Sequence, residues 1–419
     1  MVLPRSVTDV FGGLGFKKFT PRPPALATMQ GMQTMAHALQ QITDRIRAAA
    51  ADGTTLRIRG GGSKDFYGQS LQGDLLDTTA LSGILSYEPT ELVVTVGAGT
   101  PLAELEALLA ERGQCLAFEP PHFAWSAGTG ATGSVATVGG MVAAGLSGPA
   151  RASAGAVREY VLGVHLVNGR GEELVFGGQV MKNVAGYDVS RMMVGSMGTL
   201  GLITEVSLKV LPLAPAEATL VFALDQHDAL ECLHRWGGQP LPLNASCWVH
   251  DNTAGASGQD LLFVRLRGAV AAVEAAARKM LAEVAGQRMD NAQARPDWEL
   301  CRNQQLPFFA RPADPTLALW RVSVAQTAPV LDLPSSPLIE WHGGLRWLWA
   351  PLDAAAHLQA VAQAHGGYAT LFVAPVSHST RASGQFVLQD PAQMAIQQRL
   401  KQSLDPKGIF NPQRLFQAF

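Results

Sequence analysis

Apolar residues repeat with two different spacings in the amino-terminal part of the chain. Residues 36–46 carry apolar side chains every three or four positions, which predicts an amphipathic helix with Thr34 as its N-cap and Gly53 after its last turn. The almost wholly apolar run Leu92–Gly97 predicts a buried strand, and Pro101–Leu109 predicts a helix with proline near its first turn. Strands and helices therefore alternate, as in α/β proteins.

The alternation continues after Pro212, where the composition becomes rich in alanine. Runs typical of strands and of helices follow in turn, at 218–224, 228–236, 261–266 and 270–284. This order predicts a second, smaller α/β domain. Earlier in the chain, Asn168–Gly171 separates two strand-like runs and predicts a hairpin. A last helix is predicted around 393–404, before Asp405-Pro406.

Three glycine-rich stretches lie between these predicted elements, at Arg59–Ser63, Ala136–Gly140 and Gly195–Gly201. Glycine removes a side chain where the backbone must turn with positive φ or approach a ligand closely. One such loop would indicate only a turn. Three in sequence predict a site for a large, anionic, two-ended cofactor.

The first stretch carries chemistry suited to a pyrophosphate. It leaves a predicted strand, passes three consecutive glycines and reaches Ser63 and Lys64. Successive backbone N–H groups in such a loop form a concave anion nest, to which the Ser63 hydroxyl and the charge of Arg59 or Lys64 would add hydrogen bonds. The loop is neither a Walker A motif nor a Rossmann fingerprint. A literal Gly-x-Gly-x-x-Gly at Gly128–Gly133 follows no strand and is a false match.

The three stretches together resemble a known family. Arg59–Ser63, Gly133–Ala143 and Lys182–Asp188, which leads into Gly195–Gly201, are similar to the FAD domain of the vanillyl-alcohol-oxidase/p-cresol-methylhydroxylase (PCMH) type. The tail Asp405–Pro412 resembles that of the 2-hydroxy-acid branch of this family. From about residue 33 onwards the chain most resembles the smaller of the FAD-binding subunits of bacterial glycolate oxidase.

The resemblance implies an α+β or α/β fold. It places a two-subdomain FAD-binding domain of the PCMH type at residues 34–214 and a smaller α/β cap domain at 215–390. A C-terminal helix and tail at 391–419 would return to the FAD domain. Residues 1–33, rich in glycine and proline, are expected either to form a flexible extension or to result from a misplaced start codon.

The resemblance also implies which residues meet FAD. The first loop would hold the pyrophosphate, and the second would lie beside the ribityl chain and the flavin. Backbone near Ile203 would contact the adenine end. The implied contacts are Arg59, Gly60, Gly61, Gly62, Ser63, Lys64, Pro120, Gly133, Ala136, Thr137, Gly139, Gly140, Ala143, Gly198, Gly201 and Ile203. The first loop offers no histidine, cysteine or tyrosine before Tyr67, so noncovalent FAD is expected.

Catalytic residues are harder to assign. Catalytic relatives carry an arginine and a threonine before Gly-Tyr-Asp, where this chain has Met181 and Ala185, and only Lys182 and Asn183 remain as weak candidates. Asp188 is interpreted as a helix N-cap. His227 and His234 are seven residues apart on one predicted helix, and no metal site is predicted.

The expected function is therefore that of an FAD-holding subunit of a glycolate oxidase complex that takes part in electron transfer. Its implied partners are a second, catalytic FAD-binding subunit and an iron–sulfur subunit. Two alternatives remain open: a self-sufficient 2-hydroxy-acid dehydrogenase, and a structural subunit without flavin.

Composition narrows the class of protein. The chain has 419 residues, 47% hydrophobic and 16% charged, and a net charge of −2, so no electrostatic reason exists to expect a nucleic acid partner. No apolar run reaches the length of a membrane span, which predicts a cytoplasmic chain whose membrane association would come through partner subunits. The four cysteines contain no Cys-x-x-Cys pair, so an iron–sulfur cluster held by this chain alone is not expected.

Overall fold

The computed structural model describes residues 29–69, 71–123, 135–178, 188–253, 258–376 and 390–416. They divide between two compact units. The described residues within 29–147, 156–213 and 390–416 form the first unit, and those within 148–155 and 214–376 form the second.

The helices and strands of the described residues follow in chain order. The helices are α1 (Met29–Asp52), α2 (Leu102–Glu111), α3 (Val138–Ala144), α4 (Arg151–Ala154), α5 (Val189–Met192), α6 (Gln226–Gly237), α7 (Val270–Glu283), α8 (Asn291–Arg302), α9 (Ala355–Ala364) and α10 (Pro391–Leu404). The strands are β1 (Leu56–Arg59), β2 (Asp74–Asp77), β3 (Ile84–Glu88), β4 (Val93–Gly97), β5 (Gln114–Cys115), β6 (Val161–Val167), β7 (Glu173–Gly177), β8 (Leu202–Lys209), β9 (Leu211–Pro212), β10 (Ala216–Ala223), β11 (Leu243–Asp251), β12 (Gln259–Gly268), β13 (Gly286–Met289), β14 (Ala318–Ser323), β15 (Leu338–Glu340), β16 (Leu345–Ala350) and β17 (Tyr368–Val373).

The first helix is longer than the sequence pattern predicts. It begins by Met29 rather than at Thr34, so the prediction of Thr34 as N-cap is wrong. The Thr34 hydroxyl instead donates to the carbonyl of Gln30, four residues earlier, at 2.9 Å. Ile42 and Ile46 are buried on the inner face of α1, as the apolar spacing predicts.

The centre of the first unit is a five-stranded antiparallel sheet with strand order β3-β4-β8-β6-β7. α2 and α3 supply apolar side chains to its core, among them Leu105 and Met141, which have no exposed surface. The predicted hairpin is confirmed, since β6 and β7 pair antiparallel on either side of Asn168–Gly171. Asp188 is also confirmed as an N-cap, with its carboxylate accepting from Arg191 N at 3.3 Å.

A second core joins the two ends of this unit. β1 and β2 form a parallel pair, and α1 packs beside them. Ile409 and Phe410, from the carboxy-terminal tail, are buried in the same cluster. Leu56 N donates to Ile409 O at 2.7 Å, so the tail is hydrogen-bonded to the strand that leads into the first glycine loop.

The second unit is built on one eight-stranded antiparallel sheet with strand order β13-β10-β12-β11-β15-β16-β14-β17. α6 and α7 cover one face through a cluster that includes Leu220, Trp236 and Leu262. The strand-like and helix-like runs at 218–224, 228–236, 261–266 and 270–284 fall on β10, α6, β12 and α7. The sequence pattern did not predict β11 or β13–β17, several of which are only three to six residues long.

Candidate functional site

A cleft in the first unit is walled by the glycine loop that follows β1. Two adjoining cavities, of about 90 Å³ and about 80 Å³, share Gly60, Gly140 and Met197 in their walls. The loop from 59 to 65 bounds the first cavity, and the second extends to Ile203. The cleft therefore runs from the first glycine stretch to the third, along α3.

Steric crowding accounts for glycine in the first loop. A Cβ atom at Gly60 would overlap the hydroxyl of Thr137, and one at Gly61 would overlap the backbone carbonyl of Val135. Gly62 has a φ of +76°, which L side chains rarely adopt. The close approach of the loop to residues 135–137 brings the first and second motifs together.

The glycine loop contains two backbone donors that bond to no described acceptor. Among the described residues, the N–H groups of Gly61 and Gly62 have no hydrogen-bond acceptor. Ser63 is buried, and its hydroxyl accepts from Lys64 Nζ at 3.1 Å. Such backbone donors, with a lysine charge beside them, are the groups that an anion nest requires.

The charge of Arg59 is compensated inside the loop. Its Nε donates to Asp65 Oδ2 at 2.7 Å, with both side chains about one-third exposed. Arg59 therefore holds the loop closed as well as lining the cleft. Lys64 also lines the cleft and contributes positive charge to its wall. Its Nζ lies 5.7 Å from the centroid of the Phe123 ring.

The second and third motifs meet along α3. Gly195 N donates to Val142 O at 3.1 Å, and Met197 N donates to Ala143 O at 2.9 Å. The motif that precedes β8 is thereby fixed against the helix that follows the second glycine stretch. All three motifs share one cleft.

Most of the FAD contacts implied by the sequence line this cleft. They are Arg59, Gly60, Gly61, Gly62, Ser63, Lys64, Thr137, Gly139, Gly140, Ala143, Gly198, Gly201 and Ile203. Ala136 is buried, and neither it nor Pro120 lines the two cavities. Gly133, Met181, Lys182, Asn183 and Ala185 lie outside the described residues. The assignment of each lining residue as an FAD contact stays a prediction.

Asn411, in the carboxy-terminal tail, is a cleft residue that sequence reasoning missed. Its Oδ1 accepts from Ile58 N at 2.7 Å, and its Nδ2 donates to Met197 O at 2.6 Å. One amide side chain thus joins the end of β1 to the third glycine stretch. The tail motif contained Asn411, but nothing in its spacing indicates a contact with residues more than two hundred positions away.

Arg414 fixes the segment that follows the glycine loop. Its guanidinium donates to the backbone carbonyls of Lys64 and Asp65, each at 3.2 Å, and also to those of Tyr67 and Gln69. Only 4% of Arg414 is exposed, so its guanidinium makes these hydrogen bonds in a buried setting. A side chain of the carboxy-terminal tail therefore fixes the backbone of the segment that follows the glycine loop.

A buried ion pair holds the tail in place. Lys401 Nζ donates to Asp405 Oδ2 at 2.7 Å, to Thr199 O at 2.7 Å and to Phe410 O at 2.9 Å. The Asp405 carboxylate also accepts from Ile409 N and Phe410 N. Burial lowers the pKa of Lys401, and the Asp405 carboxylate opposes that shift.

These features fit a dinucleotide with a pyrophosphate. Glycine surfaces allow close approach, unpaired backbone N–H groups can donate to phosphate oxygens, and Lys64 offers positive charge. Among the described residues lining the two cavities, none is a histidine, cysteine or tyrosine that could bond covalently to a flavin.

The second unit contains a separate apolar cavity of about 220 Å³. Trp298 and Phe308 line it, and Cys247 and Cys301 lie in its wall. Asp297 is at the same cavity, where burial first and the nearby Asp251 second raise its pKa to about 6.

The histidines of α6 do not face one another across a common site. His227 lies at 3.4 Å from Glu231 on an exposed surface that also carries Asp228. His234 instead hydrogen-bonds through Nε2 to the carbonyl of Gln326 at 2.7 Å.

The described part of the chain contains no helix that is long and apolar enough to cross a membrane.

The part of the chain that carries the first two glycine stretches matches a known protein family. Residues 35–177 match the model of a protein family described as FAD binding domain. A solved structure of alkyldihydroxyacetonephosphate synthase, 16% identical in sequence, has a TM-score of 0.61 over 90% of this chain and 76% of its own chain, and so shares the fold.

Sequence relatives include two glycolate oxidase subunits. Subunit GlcD of Bacillus subtilis strain 168 is 30% identical over 149 residues, which is 36% of this chain and 30% of that protein. Subunit GlcE of Escherichia coli strain K12 is 42% identical over 379 residues, covering 90% of this chain and 97% of the relative. The chain therefore belongs to the glycolate oxidase subunit GlcE family.

Proposed function

We propose that this chain is the FAD-binding subunit of a glycolate oxidase complex and acts as an FAD-dependent oxidoreductase within it. The observation that carries the proposal is the 42% identity to GlcE across nearly the whole of both proteins. The single cleft shared by the three glycine motifs supports it. FAD, when bound, would carry two electrons during the oxidation of glycolate to glyoxylate by the complex.

The residues of the cleft would bind and orient the cofactor. Gly61 and Gly62 N–H groups and the Lys64 ammonium would hold the pyrophosphate. Asn411 and Arg414 keep that loop in register through their backbone contacts. Since no suitable nucleophile lines the described walls, we propose that FAD is held noncovalently.

We further propose that electrons leave through partner subunits. The match to GlcD over part of the chain supports a complex with a second FAD-binding subunit. No cysteine pair in this chain has iron–sulfur spacing, so a cluster would belong to a separate chain. Electron passage, rather than complete turnover of glycolate, is then the role of this chain.

An absorbance spectrum from 300 to 550 nm tests the proposal. The purified chain should be yellow, and anaerobic glycolate should bleach its flavin bands only when the partner subunits are present. Bleaching by glycolate with this chain alone would contradict the electron-passing role. A colourless chain would contradict flavin binding.

A glycine variant adds a test of the cleft itself. Gly61→Ala should purify with little flavin, because the added Cβ overlaps the Val135 carbonyl and must displace the loop. Gly178→Ala is the matched control, because a Cβ there meets nothing within 4 Å. Circular dichroism should show both variants folded. Full flavin content in Gly61→Ala would place the cofactor elsewhere.

A further inference from the structure

The apolar cavity of about 220 Å³ in the second unit has no part in the proposed function. Thr219, Cys247 and Phe263 line it, and each is next in sequence to a residue that packs with α6 and α7. Because successive side chains of a strand point to opposite faces, the cavity lies on the face of the sheet away from those two helices. Ala294 and Trp298 of α8 contribute to its wall.

The wall offers an apolar surface with a fixed shape. Phe263, Met289 and Phe308 line the cavity. The Trp298 ring is held in place because its Nε1 donates to Thr219 Oγ1 at 3.0 Å. An apolar cavity of about 150 Å³ is large enough for benzene. This cavity can therefore hold an aromatic ring with a short side chain.

Two carboxylates stand in the wall of this apolar cavity. Asp297 belongs to α8, and Asp251 is the last residue of β11. Burial first and the charge of Asp251 second raise the pKa of Asp297 to about 6, so Asp297 is ionised at pH 8 in spite of its apolar surroundings. Among the described residues, the Asp297 side chain has no hydrogen-bond donor and no cation as a partner.

The other charged groups nearby do not supply that cation. Among the described residues that line the cavity, none is a lysine or an arginine. His250 lines it, but its Nδ1 is already 2.6 Å from Asp260 Oδ1. Arg265 Nε donates to Asn244 Oδ1 at 2.7 Å, and Arg265 is not part of the cavity wall. The cavity therefore combines an apolar surface with an excess of negative charge.

We propose that this cavity binds a small protonated amine with an apolar body. The ammonium group would donate to Asp297 and lie near Asp251, while the hydrocarbon part would fill the space beside Phe308 and Trp298.

Other classes of ligand fit these observations less well. A carboxylate would be repelled by both aspartates, and a neutral ligand would leave Asp297 in an apolar wall without a counter-ion. A metal ion is not favoured, because the described groups of three metal-ligating side chains do not include Asp251 or Asp297. The site uses residues of the second unit alone, so it does not depend on the proposed role in glycolate oxidation.

Calorimetric titration of the full chain, with its flavin bound, by 2-phenylethylamine at pH 8 tests the proposal. We expect one amine to bind per chain. 2-Phenylethanol has nearly the same shape without the charge, so it should bind more weakly by about tenfold or more. Phenylacetate, which carries the opposite charge, should show no binding.

Variants separate the contribution of the charge from that of the apolar wall. Asp297→Asn should weaken binding of the amine by about tenfold or more, because it removes the counter-ion and keeps the side-chain shape. Phe308→Ala should weaken it by about fivefold, because it removes part of the apolar surface. Glu299→Gln is the matched control, since Glu299 is an exposed acid of the same helix outside the cavity wall, and it should leave binding unchanged.

Several results would overturn the site. They are absence of amine binding, equal binding of 2-phenylethanol, and equal losses in Asp297→Asn and Glu299→Gln. Asp251→Asn is the second charge variant if Asp297→Asn fails to fold, and it should also weaken binding of the amine. Flavin absorbance should stay unchanged in every variant, whereas loss of flavin in parallel with loss of amine binding would contradict a site independent of the FAD cleft.

Discussion

The buried Lys401–Asp405 pair is expected to decide whether the carboxy-terminal tail stays folded on the first unit. Lys401 is 5% exposed, and its ammonium makes three hydrogen bonds within 2.9 Å. Lys401→Met keeps most of the side-chain volume but leaves the Asp405 carboxylate buried without its cation. Removing one member of a buried ion pair costs about 3–5 kcal/mol.

Thermal unfolding measures this loss. For a unit of about two hundred residues, each kcal/mol lowers the Tm by about 2–4 °C, so we expect a decrease of about 6–20 °C for Lys401→Met. FAD must be held at one concentration throughout, because a bound ligand raises the apparent stability. Lys407→Met is the matched control, since Lys407 lies in the same tail with its side chain exposed.

A double variant tests the physical cause. Lys401→Met combined with Asp405→Asn removes the buried negative charge, so it should be less destabilised than Lys401→Met alone. The reasoning would be refuted if Lys401→Met lost less than about 1 kcal/mol, a cost too small for breaking a buried pair. It would also be refuted if the double variant lost the sum of both single losses.

Two further predictions concern the cleft and the second unit. Asn411→Leu removes partners from Ile58 N and Met197 O, so it should destabilise the first unit by about 1–3 kcal/mol for each group left unsatisfied. Asn411→Leu should also retain less FAD, measured by flavin absorbance after gel filtration. Asn411→Asp keeps the acceptor oxygen, so the amount of FAD that it retains should lie between the amounts retained by Asn411→Leu and by the wild type. The pKa of Asp297 is raised to about 6 in the folded chain, above its usual value of about 3.9, so the folded state binds more protons and loses stability as pH rises from about 4 to about 6. Asp297→Asn should therefore raise the Tm more at pH 8 than at pH 5, and an equal gain at both pH values would contradict this titration.

Local sequence signals predicted several elements correctly because near neighbours determine them. Asp188 caps α5 through a contact three residues away, and the turn Asn168–Gly171 closes a hairpin between adjacent strands. α2 begins directly after Pro101, as expected from the position of proline in a first turn. The three glycine stretches likewise indicated the FAD-binding family from their own residues.

The same local reasoning failed at the start of α1. Thr34 is a good N-cap by residue type, but the residues before it also continue the helix, and its hydroxyl bonds to Gln30 O inside the helix. Residue type alone cannot distinguish a cap from an interior threonine. The short strands β13 and β15 were missed for a related reason, since three or four residues are too few to show a period.

The amino-acid sequence by itself determined the family, the order of the glycine motifs and the chemistry of an anion-binding loop, because each depends on residues close together in the chain. Only the tertiary structure decided which distant residues complete the cleft. Asn411 and Arg414 reach the first loop across some 350 positions, and Asp65 compensates the charge expected of Arg59. Such contacts depend on how the strands and the tail pack together. Residues that are some 350 positions apart in the chain produce no periodic pattern from which their contact could be predicted.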